Sequence, residues 1–200
     1  MVEKSHQVSK LYIHRCEREG YRFNNWAQIY KLPYKCTAST RSQSLHFRIV
    51  HRYVPTLKFL HTRQIIESPL CPKCGIDESL SHFLFYCQDV KPLWDIILSK
   101  LKQLFRLNNA FVSCKTVLFG YSKATPIVNL ILLLVKQYII ICKARETRSV
   151  LRVEGLKQSV LRHFEIEKYT AKCSSIEDAF QLKWERVLGE NGSLILESFI

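Results

Sequence analysis

Apolar side chains recur at intervals of three and four along most of this chain and strict alternation is scarce, so the pattern predicts helices and almost no sheet. A first helix is expected over about Gln7 to Arg18. A second begins near Asn24 or Asn25, presents Trp26, Ile29 and Tyr30 on one face, and ends at Pro33. Over residues 41–54, a helical wheel collects Leu45, Phe47, Ile49, Val50, Tyr53 and Val54 in one broad arc. Pro55 stops that helix, and Thr56 is placed to cap a short successor through Leu57, Leu60 and Ile65. Pro92 opens a helix with Leu93, Trp94, Ile97, Leu98, Leu101, Leu104 and Phe105 along one side. Residues 108–125 read as irregular, with VLFGYS as a short extended piece around Gly120. A further helix from about Ser149 uses Val153, Leu156, Val160 and Phe164. The last begins at Ser174, where S-S-I-E has the form of a capping box ahead of Phe180, Trp184 and Leu188.

The most apolar stretch, residues 127–142, is too short and, with Asn129, Lys136 and Gln137, too polar to span a bilayer, so it is read as a buried core helix. The expected architecture is mainly α: an irregular helical bundle in one domain over 1–200, with C-terminal helices over 149–188 and a loose tail over 189–200. A chain of 200 residues, 47% hydrophobic and 12% aromatic, suffices for one sizeable core.

Charge changes this picture. The formal net charge is +13, and from Gly20 to Ile66 there are eight Lys or Arg and no Asp or Glu; a second acid-free run spans Ile96 to Arg145. Uninterrupted positive potential concentrates polyanions, and nucleic acid is the usual intracellular one. On the wheel, Arg41, Arg48 and Arg52 fall within about 40° of one another, with His51 beside them, a cationic ridge suited to a phosphate backbone. Arg22, Lys31 and Lys35 interleave with aromatics over 21–35. Trp26 and Tyr30 read as core there, which leaves Tyr21, Phe23 and Tyr34 as better candidates for stacking bases.

The sharpest local pattern is Cys71, Cys74, His82 and Cys87 in CPKCGIDESLSHFLFYC, within a knuckle over 69–88. Three thiols and one imidazole at this spacing can close a tetrahedral shell around one zinc ion, and Pro72 and Gly75 bracket the tight turn that aims the first two sulfurs. Four protein donors leave no open position, so the ion is expected to be structural. On a regular helix His82 and Cys87 would lie about 140° apart, so the helix must tighten or unwind before Cys87. The remaining cysteines show no disulfide framework. MVEKSHQVSK lacks an apolar signal core, which points to a reducing intracellular setting, nuclear or cytoplasmic.

These residues together resemble the zinc-binding region found C-terminal to the polymerase in LINE-type, non-LTR retrotransposon reverse transcriptases. Trp26, Ile29 and Tyr30, then SLHFRIVHRYVPT over 44–56, then the knuckle with Glu78 and Ser79 before His82, then Trp94, carry the likeness. Leu118, Gly120, Asn129 and Lys136 complete it, and the resembling region is 21–148. The resemblance implies a helical, zinc-organised segment that holds template RNA or target DNA beside the polymerase and has no polymerase chemistry of its own. None of Asp77, Asp89, Asp95 and Asp178 neighbours another, as magnesium-holding polymerase aspartates would, and no endonuclease region is present. A fragment of a reverse-transcriptase polyprotein is the expectation.

The leading reading is therefore a non-catalytic, zinc-dependent nucleic-acid-binding module with RNA or DNA as partner and no membrane role. The alternative is a zinc-stapled scaffold that docks a protein, including a reverse-transcriptase polymerase. No deaminase, H-E-x-x-H, phosphate-loop, dinucleotide or G-x-S-x-G signature supports an enzyme.

Overall fold

The computed structural model describes residues 20–21, 25–121, 123–144 and 151–188, and among them helices form throughout with no strand. In chain order they are α1 (Trp26–Cys36), α2 (Thr40–Val50), α3 (Leu57–Thr62), a π-helical turn (His82–Tyr86), α4 (Lys91–Leu104), a 3-10 turn (Asn109–Phe111), α5 (Cys114–Phe119), α6 (Pro126–Ala144), α7 (Val153–Cys173), α8 (Glu177–Trp184) and a second 3-10 turn (Glu185–Val187). An isolated bridge between Leu70 and Asp77 is the sheet-like pairing at the knuckle. The helix expected over Gln7 to Arg18, Arg22, Phe23 and the tail 189–200 lie outside the described residues.

Helix α6 is the centre of the molecule, and α1, α2, α7, α8 and the π turn pack around it. It is long and apolar enough to cross a bilayer, but 67% of its most apolar window is buried inside the protein. Its polar residues are spent internally: Lys136 Nζ donates to the Leu118 carbonyl at 3.2 Å. Asn129 donates to Tyr121 O at 2.9 Å and accepts from Tyr121 N at 2.8 Å, a stand-in for a backbone partner. Tyr121 follows Gly120, which ends α5 at φ +83°; a Cβ there would lie 2.7 Å from Leu32 Cδ1 and 2.8 Å from Asn129 Oδ1. The left-handed backbone and the close approach both call for glycine.

Helix α1 does not end at Pro33 but continues to Cys36. Proline removes the N–H that would bond the carbonyl four residues back, that of Ile29. His46 from α2 supplies the missing donor: its Nε2–H gives to Ile29 O at 3.0 Å. That bond fixes the tautomer, and burial pushes the His46 pKa down to about 3, so the ring stays neutral. The side chain thus bridges a break in one helix from the core face of the next.

Helix α2 stops at Val50, four residues short of the expected span. His51 caps it, Arg52 turns left-handed at φ 59°, and Tyr53 N–H returns to Arg48 O at 2.7 Å, which is a Schellman closure. Val117, Leu118 and Phe119 of VLFGYS are helical and buried in α5, not extended, and Ser113 caps that helix by accepting Thr116 N–H. The S-S-I-E box does not form either, because Ser174 ends α7 and Ser175 is left-handed at φ 52°. Its Ile176 N–H reaches Ala171 O at 2.9 Å, so the segment closes one helix instead of starting the next. Pro92 does stand in the first turn of α4, and Thr56 caps α3 by accepting from Phe59 N–H at 3.2 Å.

Candidate metal centre

The knuckle brings together the four predicted donors. Gly75 is left-handed at φ 68°, and its N–H bonds Cys71 O at 2.8 Å, while Cys71 N–H bonds Ile76 O at 2.7 Å. This turn projects Cys71 and Cys74 to one point. The other two donors come from the π turn, in which Cys87 N–H bonds His82 O at 2.9 Å. The distortion is an unwinding, one of the two changes expected from the wheel: an i→i+5 bond lowers the twist per residue, sets residues five apart over one another and brings the imidazole and thiol to one side.

Cys87 Sγ lies 3.9 Å from Cys71 Sγ and 3.9 Å from Cys74 Sγ, and one donor atom from each of the four residues lies within 4.8 Å of every other. Zinc–sulfur bonds of about 2.3 Å in a tetrahedron put sulfurs about 3.8 Å apart, so the donors stand at ligating separation. His82 is buried, and both its ring nitrogens lack a hydrogen-bond partner among the described residues. An orphaned imidazole inside a sulfur cluster is costly unless a metal takes one nitrogen. Burial, with the Lys143 charge, holds its pKa below the ordinary value, which keeps the neutral ligating form. At Cys71 burial raises the thiol pKa, but the N–H groups of Cys74 and Lys73 outweigh it and hold the thiol low. At Cys87 burial wins and the thiol is raised, against the Asp89 N–H and the Lys143 ammonium. The residues present fit a zinc ion.

The centre is supported by the Glu-Ser pair and Trp94, which carry the resemblance, and by Lys143, which no local pattern marks. Glu78 is buried and its Oε1 accepts Leu57 N–H at 3.1 Å, tying the knuckle to the start of α3. Ser79 Oγ accepts His82 N–H at 3.2 Å and starts the turn that carries the imidazole. The Glu-Ser pair is therefore a helix-capping device facing both ways. Trp94 Nε1 donates to Leu84 O at 2.6 Å, locking α4 onto the π turn. Lys143 arrives from the end of α6: its Nζ donates to Phe83 O at 3.3 Å and sits 4.6 Å from the Phe83 ring centroid. One Zn²⁺ with three thiolates carries a net negative charge, and this ammonium stands beside it.

The basic residues divide. Arg41, Arg48, Lys31 and Lys35 are exposed, and Arg22 lies outside the described residues. Arg52 and His51 leave the ridge, being only 7% and 4% exposed. The wheel assumed helix through residue 54, whereas the left-handed turn at Arg52 swings its guanidinium inward, 5.5 Å from the Tyr21 ring centroid and 5.4 Å from that of Phe119. Burial keeps His51 below its ordinary pKa, so it is a neutral ring and not a cation. Phe47 and Tyr53, expected in the core, are 49% and 40% exposed and flank it, with centroids 4.0 Å and 6.1 Å from His51. Of the rings expected to stack bases, Tyr34 is well exposed, whereas Tyr21 is half-buried with its hydroxyl 3.4 Å from Cys114 Sγ.

A helical domain organised about a Cys-Cys-His-Cys knuckle is the class that this fold and site define. More particularly, residues 6–94 match the family described as zinc-binding in reverse transcriptase, and this segment is a zinc-binding domain of the kind found in reverse transcriptases. The match ends at Trp94, so Leu118, Gly120, Asn129 and Lys136 lie beyond it. No curated protein and no solved structure matches the chain. No catalytic domain is among the matches.

Proposed function

We propose that this protein is a non-catalytic nucleic-acid-binding module whose fold is held by one structural zinc ion, and that it positions an RNA or DNA strand beside a reverse-transcriptase polymerase. The observation that carries this reading is the pair of exposed rings Phe47 and Tyr53, which flank the buried His51 ring next to the exposed Arg48. Exposed rings next to an arginine are what a single strand uses, bases on the rings and phosphate on the guanidinium. The +13 charge supplies the long-range attraction. Thiolate ligation fits a reducing intracellular compartment, nuclear or cytoplasmic.

Metal analysis of purified protein should give one zinc per chain. Single-strand affinity should fall with salt at a slope of about −0.7 per neutralised phosphate. Phe47→Ala with Tyr53→Ala should cost roughly 1–3 kcal/mol per base unstacked. Affinity indifferent to salt and to both rings would overturn the reading. The second reading, a docking scaffold, is favoured by exposed Leu70 and Ile76 at the knuckle and exposed Ile65 just before it. Apolar docking there would respond little to salt and would be lost on Ile76→Asp.

A further inference from the structure

The cleft between α6 and α7, capped at one end by the start of α2, has a volume of about 680 Å³, and we propose that it is a nucleotide-phosphate site gripped by Arg41, Arg152 and Arg162. Arg41 comes from the first turn of α2, Arg152 is the N-cap of α7, and Arg162 stands further along α7. Two chain segments far apart in sequence therefore bring three arginines to the lining of one hollow, and no Asp or Glu lines it. His163 also lines the cleft, but Glu167 Oε1 engages it at 3.2 Å and is itself held by Lys183, so the arginines carry the free charge. Arg41 and Arg162 are exposed, and no described carboxylate forms an ion pair with any of the three. The positive end of the α2 dipole adds to the same field.

The hollow is built, not incidental. Tyr138 of α6 donates its hydroxyl to Arg152 O at 2.9 Å and accepts Arg152 N–H at 3.2 Å, which fixes the backbone that bears this arginine. The contact needs Gly155, where a Cβ would stand 2.4 Å from Tyr138 Oη. A glycine within a helix is less favourable than alanine, and here it admits the tyrosine that anchors the arginine. Leu134, Ile141 and Ile166 give part of the lining an apolar character that suits a sugar or base beside the arginines. Planar guanidiniums in a fork favour phosphate, and the volume is of the size that takes a small organic ligand such as one nucleotide.

The proposal rests on the nucleic-acid reading only for the source of the phosphate, a strand as opposed to a free mononucleotide. The test uses the full chain with two probes, a short single-stranded oligouridylate followed by fluorescence anisotropy and uridine monophosphate followed by arginine side-chain NMR signals. Arg152→Gln with Arg162→Gln, checked for intact helicity, should weaken the oligouridylate about tenfold and make its salt slope shallower by about 0.7 per phosphate released. If the monophosphate shifts the three arginine signals and competes with the strand, a mononucleotide also fits the site. If only the strand depends on the arginines, an internal phosphodiester is the ligand. Binding of both probes unchanged in the double variant, with the arginine signals unmoved, overturns the site. A wild-type chain that binds no oligouridylate yet shifts these signals with monophosphate removes the nucleic-acid reading and keeps the site. Strand binding lost on Phe47→Ala with Tyr53→Ala, but indifferent to Arg152 and Arg162, does the reverse.

Discussion

Among the described residues, four positions bend the backbone where glycine would be easier: Arg52, Gln64, Arg106 and Ser175 have φ between 51° and 59°. Each follows a helix and is closed by the hydrogen bond two residues beyond the cap, as in Ile65 N–H to Leu60 O at 3.1 Å and Leu107 N–H to Lys102 O at 2.9 Å. Left-handed backbone costs a side chain about 1–2 kcal/mol, partly offset by the freedom glycine gives the unfolded chain. Gln64→Gly and Arg106→Gly should each stabilise by roughly 0.5–1 kcal/mol in urea titrations. Arg52→Gly should not, because it also loses the contacts of the guanidinium with Tyr21 and Phe119. Lys136 is 1% exposed, and burial lowers its pKa to about 7. Between pH 10.5 and pH 7 the unfolded chain holds a proton that the folded chain lacks, so this residue makes stability fall as pH falls, by at most about 1.4 kcal/mol per unit, with no further change below pH 7. Lys136→Met should be the more stable protein at pH 7, with the gain shrinking toward pH 10; parallel urea midpoints for the two chains across that range would contradict it. None of these four turns carries a glycine signal, and Lys136 shows only as a polar break in an apolar run, so the sequence discloses neither strain nor burial.

At the scale of elements, helix existence was legible and helix ends were not. The apolar faces of α4, α6 and α7 follow their spacing because each must bury a stripe. Pro33 reads as a stop because its partner, His46, sits on another helix. The C-terminal end of α2 was misplaced because a Schellman turn without glycine resembles another helical turn on the wheel. The same applies to S-S-I-E, whose serines close α7. The metal donors were legible because ligation spacing is set by seventeen consecutive residues. Their charge partner was not: Lys143 meets Phe83 across a separation of 60 residues. Lys143→Met should loosen zinc by about tenfold in competition with a colorimetric chelator, the low end for a residue behind the ligands. Unchanged zinc affinity would reduce Lys143 to a packing role.

At the scale of the whole molecule, the zinc lobe and the α7–α8 layer each pack on α6 through their own elements and should yield separately. Trp94 reports on the first through its bond to Leu84 O, and Trp184 on the second through Glu167 Oε2 at 3.0 Å. Chelation should collapse the protection of the Trp94 indole N–H from hydrogen exchange and leave that of Trp184 largely intact, with zinc restoring the first. Equal loss at both indoles would mean that the metal holds the entire bundle. The sequence by itself determined the helical class, the core helix, the donor set and the positive field, because period, composition and short-range spacing are local properties that one chain segment can express. Only the tertiary structure decided which arginines face water, which lysine stands beside the sulfurs, what completes the hydrogen bonding at Pro33, and where α6 and α7 leave a cationic hollow. Those outcomes depend on burial and on contacts between residues far apart in the chain, and no periodicity records them.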